Sequence, residues 1–82
     1  MDPTGIELSI RSIVAAIGGL PVDADANADL YLDLGMASAH ALALLQELEG
    51  RFGVSIPDEQ FVESTSIAKL TATLKTLLNG YV

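Results

Sequence analysis

The spacing of the large aliphatic residues constrains the fold of this chain more than any other feature. In residues 4–17 they recur every three or four positions, as on the buried face of a helix: Ile6, Ile10, Ile13, Val14 and Ile17. Thr4 with Glu7 three residues later is typical of a capping box, and Gly18-Gly19 predicts the end of the helix. The alternation of apolar and polar residues that marks a strand is sustained nowhere. We therefore expect helices and no sheet.

Two later stretches repeat this spacing. The first predicts a helix from Ser38 to about Phe52 whose buried face is widened by Leu42 and consists of Ala41, Leu44, Leu45, Leu48 and Phe52. The second predicts a helix capped by Ser66 and ended by Gly80. Its expected buried face is Ile67, Leu70, Leu74, Leu77 and Leu78. Three long helical faces in one short chain predict a helical bundle.

The segments between these helices complete the predicted architecture. Residues 18–37 are rich in turn residues and acids and predict a long loop, pinned across the core by its apolar residues. Residues 53–57 indicate an extended link, because Pro57 disfavours helical angles at Ile56. Asp58 to Glu63 predicts a helix of one or two turns, held by Phe61 and Val62. The expected fold is all-α, a small four-helix bundle over residues 1–82, with a long first loop and a short third helix.

Composition and charge exclude several classes of function. The 82 residues are 50% hydrophobic, which suffices for one core but not for a deep active-site cleft. The net charge is −7, and residues 23–63 hold nine acids against one arginine. Such a surface repels nucleic acid and anionic lipid, and favours partners with basic patches. With no apolar run long enough to cross a bilayer, we expect a cytoplasmic monomer without a nucleic-acid or membrane partner.

No constellation for catalysis or metal binding is evident. The chain has no cysteine, and the single histidine, His40, is two residues from Ser38, so their side chains would leave a helix on different sides. The residues around Ser38 do not form a nucleophile elbow. The acids of residues 23–33 lack the order of a calcium-binding loop. We predict no catalytic residue, no metal site and no enzyme activity.

Ser38 itself has two interpretations on these residues. A serine at the start of a helix is most often an N-cap. Yet Ser38 alone among the serines follows a glycine and a long acidic loop and precedes an amphipathic helix. That combination also suits an attachment point.

Residues 29–61, DLYLDLGMASAHALALLQELEGRFGVSIPDEQF, resemble the segment around the modified serine of acyl and peptidyl carrier proteins. The matching residues are Asp33, Leu34, Gly35, Ser38, Ile56, Pro57, Asp58 and Glu59. The layout of helices extends the resemblance over essentially the whole chain. It implies that a phosphopantetheinyl transferase esterifies Ser38 with 4′-phosphopantetheine from coenzyme A. The thiol of that arm would then carry an acyl or aminoacyl thioester between enzymes.

Two departures from the family pattern bear on the cargo. Ala37 stands where the family usually has Asp, and Ala39 where it usually has Leu. With "ADLY" and "GMAS", they favour a resemblance to stand-alone aminoacyl carriers, which are loaded by ligases similar to the catalytic core of class II aminoacyl-tRNA synthetases. The alternative is a stand-alone carrier for polyketide, nonribosomal peptide or specialised acyl synthesis. A third hypothesis, favoured by Ala37, is an unmodified interaction module in which Ser38 only caps its helix.

The resemblance also nominates the residues beside Ser38. Gly35, Met36 and Ala37 are expected next to the arm, and Met36, Ala39, His40 and Glu47 at the surface for the ligase, the transferase and a downstream acceptor enzyme. Met36 has a second interpretation, as a filler of the core. Glu47 and Glu49 suit basic residues of a partner or a simply solvated face. Tyr31, Phe61 and Val62 are expected in the core, not in a ligand site.

Overall fold

The computed structural model describes residues 3–79, and side chains from Gly5 onward. It contains four α-helices in these residues: α1, Pro3–Gly18; α2, Ala41–Phe52; α3, Asp58–Glu63; and α4, Ile67–Asn79. One 3₁₀ turn, Ser38–His40, directly precedes α2, and none of the described residues forms a strand. The predicted all-α fold is confirmed. None of these helices combines the length and apolar character needed to span a membrane.

Two predicted helix ends cannot be compared with the structure. Gly80, predicted to end the last helix, lies outside the described residues. The side chain of Thr4, half of the predicted capping box, also lies outside them. The other half, Glu7, forms an ion pair with Arg11.

The predicted apolar faces of the three long helices meet in one core. Helix α1 packs against both α4 and α2, and α3 packs against α4. The side chains with less than 2% exposure include Ile10, Val14, Leu44, Leu48, Ile67, Leu70 and Leu74. Each such burial contributes roughly 1.5–3 kcal/mol, so these faces dominate the stability of the bundle.

The prediction for the buried face of α2 is wrong at one residue. Leu42 was expected to widen that face, but it is 63% exposed. It precedes the buried Leu44 by two residues, which on an α-helix is about 200° around the axis. Leu42 therefore points away from the core.

Local hydrogen bonds fix the helix ends as predicted at Gly19 and Ser66. Helix α1 ends at Gly18, and Gly19 follows with φ of 68°, a conformation that residues with side chains rarely adopt. Its amide donates to the carbonyl of Ala15 at 3.0 Å. At α4, the hydroxyl of Ser66 accepts the amide of Lys69 at 3.1 Å, which confirms the predicted cap.

Arg11 pins the first part of the long loop, residues 19–37, to α1. Its Nη1 donates to the carbonyl oxygens of Val22 and Ala24, at 3.0 and 2.7 Å. Its Nε donates to the carboxylate of Glu7, one turn earlier on α1, at 2.9 Å. One guanidinium therefore joins a helix to two successive points of the loop, a geometry that lysine cannot reproduce.

The rest of the loop is tied to the other end of the bundle. The amide of Ala68 in α4 donates to the carbonyl of Ala26 at 2.9 Å, and the amide of Leu30 donates to the carbonyl of Thr65 at 2.8 Å. Leu30 is fully buried. The prediction that the loop is pinned across the core is confirmed, although Val22 is 60% exposed and contributes only its carbonyl.

The link between α2 and α3 depends on Glu49. Its carboxylate accepts the amide of Ile56 at 2.8 Å, so this acid works within the chain. The carboxylate is thereby less suited to the partner contact considered from the sequence. Val54 and Ile56 are buried in the core on either side of the exposed Ser55.

Candidate functional site

Ser38 begins the 3₁₀ turn, and its side chain does not cap a helix. Ala37 occupies the cap position of the turn with an extended backbone, and His40 occupies that of α2; neither position has a side-chain cap bond. No hydrogen bond joins the Ser38 hydroxyl to another described residue. The interpretation of Ser38 as an N-cap is therefore wrong. The 3₁₀ turn Ser38–His40 separates Ser38 from α2, and the residue is exposed.

Met36 anchors the loop end that presents Ser38. Its amide donates to the carbonyl of Leu30 at 2.8 Å, and its side chain is only 3% exposed. The thioether lies over Gly18, where an added Cβ would be 2.7 Å from Sδ. The core interpretation of Met36 is confirmed, and the partly exposed one is wrong. Gly35, at φ of 78°, supplies the reversal that sends Met36 inward and leaves Ser38 outside.

A groove of about 260 Å³ opens beside Ser38. We call it the Ser38 groove; its lining residues are Tyr31, Ser38, Ala41, Phe61, Val62 and Thr65. The expectation that Tyr31, Phe61 and Val62 all belong to the core is wrong for Val62, which is 71% exposed. Tyr31 and Phe61 are half-buried and pack on the core from the edge of the groove. Phe61 and Val62 come from α3, so this short helix supplies one side of the groove beside the hydroxyl.

Asp29 organises one wall of the Ser38 groove. Its Oδ1 accepts the amides of Tyr31 and Leu32, at 2.9 and 2.8 Å. The pKa of Asp29 lies below its ordinary value, chiefly because of the Leu32 bond; the Tyr31 amide, the Thr65 hydroxyl and the Lys69 charge act in the same direction, against desolvation. Burial, and then the charge of Asp29, raise the pKa of Tyr31. Asp29 was not predicted as a site residue. The signal in the sequence was an Asp within a loop rich in turn residues, because such a side chain often accepts an amide two residues later in an Asx turn.

The surface around Ser38 carries few charges on α2. Ala39, His40 and Glu47 are exposed, as expected of contacts for a partner, and Glu47 is the first acid of the helix. Their roles in recognition stay predictions. The exposed acids Asp33 and Glu59 come from the loop and from α3 instead.

The described residues offer Ser38 no catalytic support. No group of three or more potential ligands among residues 3–79 is arranged to hold a metal ion. His40 makes no hydrogen bond to the Ser38 hydroxyl, and no other base among residues 3–79 is bonded to it.

The same residues fit a covalently attached arm. The hydroxyl is free and exposed, the Ser38 groove offers apolar room beside it, and Ala37 and Ala39 leave the approach unobstructed. The first amides of a helix lack intrahelical partners and favour an anionic phosphate nearby. A phosphodiester on this oxygen would displace no structural hydrogen bond.

Comparison with known families decides the identity of this arrangement. The family profile described as a phosphopantetheine attachment site matches residues 9–74. The chain belongs to this family. Its carrier domains bear a covalent 4′-phosphopantetheine on a serine, work with a phosphopantetheinyl transferase and partner synthases, and are not themselves enzymes. The resemblance to carrier proteins is thereby confirmed.

Two curated sequences of a non-reducing polyketide synthase from Talaromyces marneffei are also similar to this carrier domain. Each is 29% identical over 68 residues, which cover 83% of this chain and 3% of the synthase. The chain thus spans about 3% of the length of the curated relatives it matches.

Proposed function

We propose that Ser38 is the serine that bears 4′-phosphopantetheine, and that this single carrier domain holds an acyl group as a thioester on the arm. The observation that carries the proposal is the free, exposed hydroxyl at the mouth of the Ser38 groove. Ser64 and Ser66 are buried and hydrogen-bonded. Ser55 is exposed but does not line the groove.

In the attachment step, a bond forms between the Ser38 oxygen and the phosphorus of coenzyme A that carries the pantetheine. The bond from that phosphorus to the oxygen of the leaving group, adenosine 3′,5′-bisphosphate, breaks. The hydroxyl proton goes to a base of the transferase, because none of the described residues is placed to accept it. The role of the carrier is to present the oxygen. Gly35 and Met36 do so by turning the backbone and anchoring it, while Ala37 keeps the approach open.

The Ser38 groove supports an acyl cargo of short length. Its volume lies just below the ~300 Å³ at which small-molecule pockets usually begin. Most of the surface that its lining residues expose to it is apolar. An aminoacyl group, the preferred cargo from the sequence, would bring a charged ammonium that gains nothing from an apolar wall. Similarity to a polyketide synthase supports the same choice.

The proposed partners are the transferase, a ligase or synthase that loads the arm, and an acceptor that unloads it. We propose that they dock on the surface that contains Ala39, His40 and Glu47, with the domain acting as a monomer. A net charge of −7 supports basic docking patches on these partners. Charge attraction of this kind accelerates association and keeps the encounters reversible.

The direct test is the intact mass after incubation with coenzyme A and a broad-specificity phosphopantetheinyl transferase. The wild type and Ser55→Ala should each gain one phosphopantetheine, and Ser38→Ala should gain none. Since the Ser38 hydroxyl caps no helix, its loss should change the free energy of unfolding by less than about 0.5 kcal/mol. A mass gain in Ser38→Ala would assign the arm to another serine. No gain in any variant would favour the unmodified interaction module.

The cargo is tested on protein purified from its native cell. Hydroxylamine releases a thioester-bound group as its hydroxamate, and mass spectrometry identifies that product. A short acyl hydroxamate is expected. An amino acid hydroxamate would contradict the acyl proposal and support the aminoacyl carrier instead.

A further inference from the structure

Asp29 does not line the Ser38 groove, yet its carboxylate accepts the amide of Tyr31, a residue that does. It holds the amide of Tyr31 at 2.9 Å and that of Leu32 at 2.8 Å. Tyr31 belongs to the long loop and Thr65 to the link between α3 and α4, so these two segments meet at one wall of the groove.

The backbone on both sides of Asp29 reinforces this link. The amide of Asp29 donates to Asp33 Oδ2 at 2.9 Å, and the next amide, that of Leu30, donates to the carbonyl of Thr65 at 2.8 Å. The turn is thus closed on itself and bonded to the residue opposite. Tyr31 is half-buried against the core, so its ring has one packed side and one side toward the groove.

We propose that Asp29 is a positioning residue for the carried group: by holding the amides of Tyr31 and Leu32 it fixes the turn that Leu30 bonds to Thr65, keeps the wall of the Ser38 groove in place and thereby protects the thioester from nucleophiles in solution. This inference rests on the proposed function of Ser38. It adds a residue that touches neither the arm nor the partner enzymes. The turn of residues 29–33 acts as a fixed support beside the attachment point.

Two substitutions separate the hydrogen bonds of Asp29 from its charge. Asp29→Asn keeps an oxygen that accepts both amides, whereas Asp29→Ala removes the acceptor. Arg11→Met is the matched control, because it loosens the same loop at a point bonded to Val22 and Ala24, away from the groove. The three variants therefore distinguish a local effect on the wall from a general loss of stability.

The first readout uses the unmodified protein, so it does not depend on the arm. In amide NMR spectra, Asp29→Ala should shift the signals of Tyr31, Thr65 and Phe61, and Asp29→Asn should leave Thr65 and Phe61 nearly in place. Unchanged Thr65 and Phe61 signals in Asp29→Ala would overturn the proposed support of the wall.

The second readout measures protection of a defined cargo. The transferase and hexanoyl-coenzyme A install a hexanoyl arm, and intact mass follows its cleavage by hydroxylamine, whose nitrogen bonds to the carbonyl carbon as the thiolate leaves. Cleavage should be about fivefold faster in Asp29→Ala, because losing the net contribution of one hydrogen bond raises the population of the open wall by about that factor. In Asp29→Asn and Arg11→Met the rate should stay within about twofold of the wild type.

Each other outcome contradicts a specific part of the proposal. Equal rates in Asp29→Ala and wild type would overturn the protective role. Faster cleavage in Asp29→Asn would show that charge matters and not the held amides, and faster cleavage in Arg11→Met would show general loosening; either overturns the positioning role. Failure of the wild type to accept any arm would be seen in the mass beforehand, and would reject the proposed function of Ser38 itself.

Discussion

The hydrogen bonds between the Arg11 guanidinium and the long loop allow the contribution of Arg11 to stability to be estimated. Arg11→Met keeps most of the apolar stem and removes the three hydrogen bonds to Glu7, Val22 and Ala24. Hydrogen bonds from a charged donor contribute about 1.5–3 kcal/mol each when sheltered, but the Val22 bond is exposed and counts for less. The Glu7 carboxylate is 41% exposed, so that ion pair adds at most about 1 kcal/mol.

We therefore expect Arg11→Met to lower the free energy of unfolding by about 2 kcal/mol, mostly through the 2.7 Å bond to Ala24. For a domain of this size, that corresponds to a fall in Tm of about 8–16 °C. Urea denaturation followed by circular dichroism measures the first quantity, and a thermal scan the second. Amide hydrogen exchange at Ala24 should also accelerate, because the loop opens locally without its clamp.

Arg51→Met is the matched control. Arg51 is exposed on α2 and its side chain has no hydrogen bond or ion pair with the other described residues, so its loss should cost less than about 0.5 kcal/mol. If Arg11→Met and Arg51→Met unfold at the same urea concentration, the two carbonyl bonds do not stabilise the fold and the reasoning fails.

Three further predictions use urea denaturation. Gly18→Ala should destabilise the fold by about 1 kcal/mol, because the added Cβ would lie 2.7 Å from Met36 Sδ. Gly50→Ala should stabilise it by about 0.5–1 kcal/mol, because the added Cβ would have no atom within 4 Å. If both variants changed the free energy of unfolding in the same direction, the contact with Met36 would be contradicted. Ser66→Ala should cost about 1 kcal/mol through the lost cap, and no loss would refute it. The lowered pKa of Asp29 means its charged form favours the folded state, so the stability advantage over Asp29→Asn should be full above the ordinary value of 3.8 and vanish as the pH falls below the folded-state pKa. An advantage that persists in strong acid would contradict that assignment.

Much of the fold follows from local pattern, and for a clear reason. The faces of α1, α2 and α4 were predicted because residues three and four apart share one side of a helix wherever that helix packs. The stop at Gly19 and the cap at Ser66 depend only on neighbours in the chain. The identity of Ser38 as the candidate serine likewise came from adjacent residues and a family resemblance.

Other features depend on residues that are distant in the chain. Met36 is buried because Gly18 leaves room for its sulfur, which no local pattern around Met36 reveals. Leu42 and Val62 are exposed although both are large and apolar. Whether an apolar residue is covered is decided by its neighbours in space.

The chemistry of the site divides in the same way. The sequence by itself determined the helical class, the long pinned loop and the serine at its end, since periodicity and turn residues act over a few positions. Only the tertiary structure decided that Ser38 caps nothing and lies beside a groove, and that the turn held by Asp29 is bonded to Thr65 through Leu30. The groove and the bond to Thr65 require distances of a few ångströms between segments more than twenty residues apart, and packing of the whole chain sets such distances.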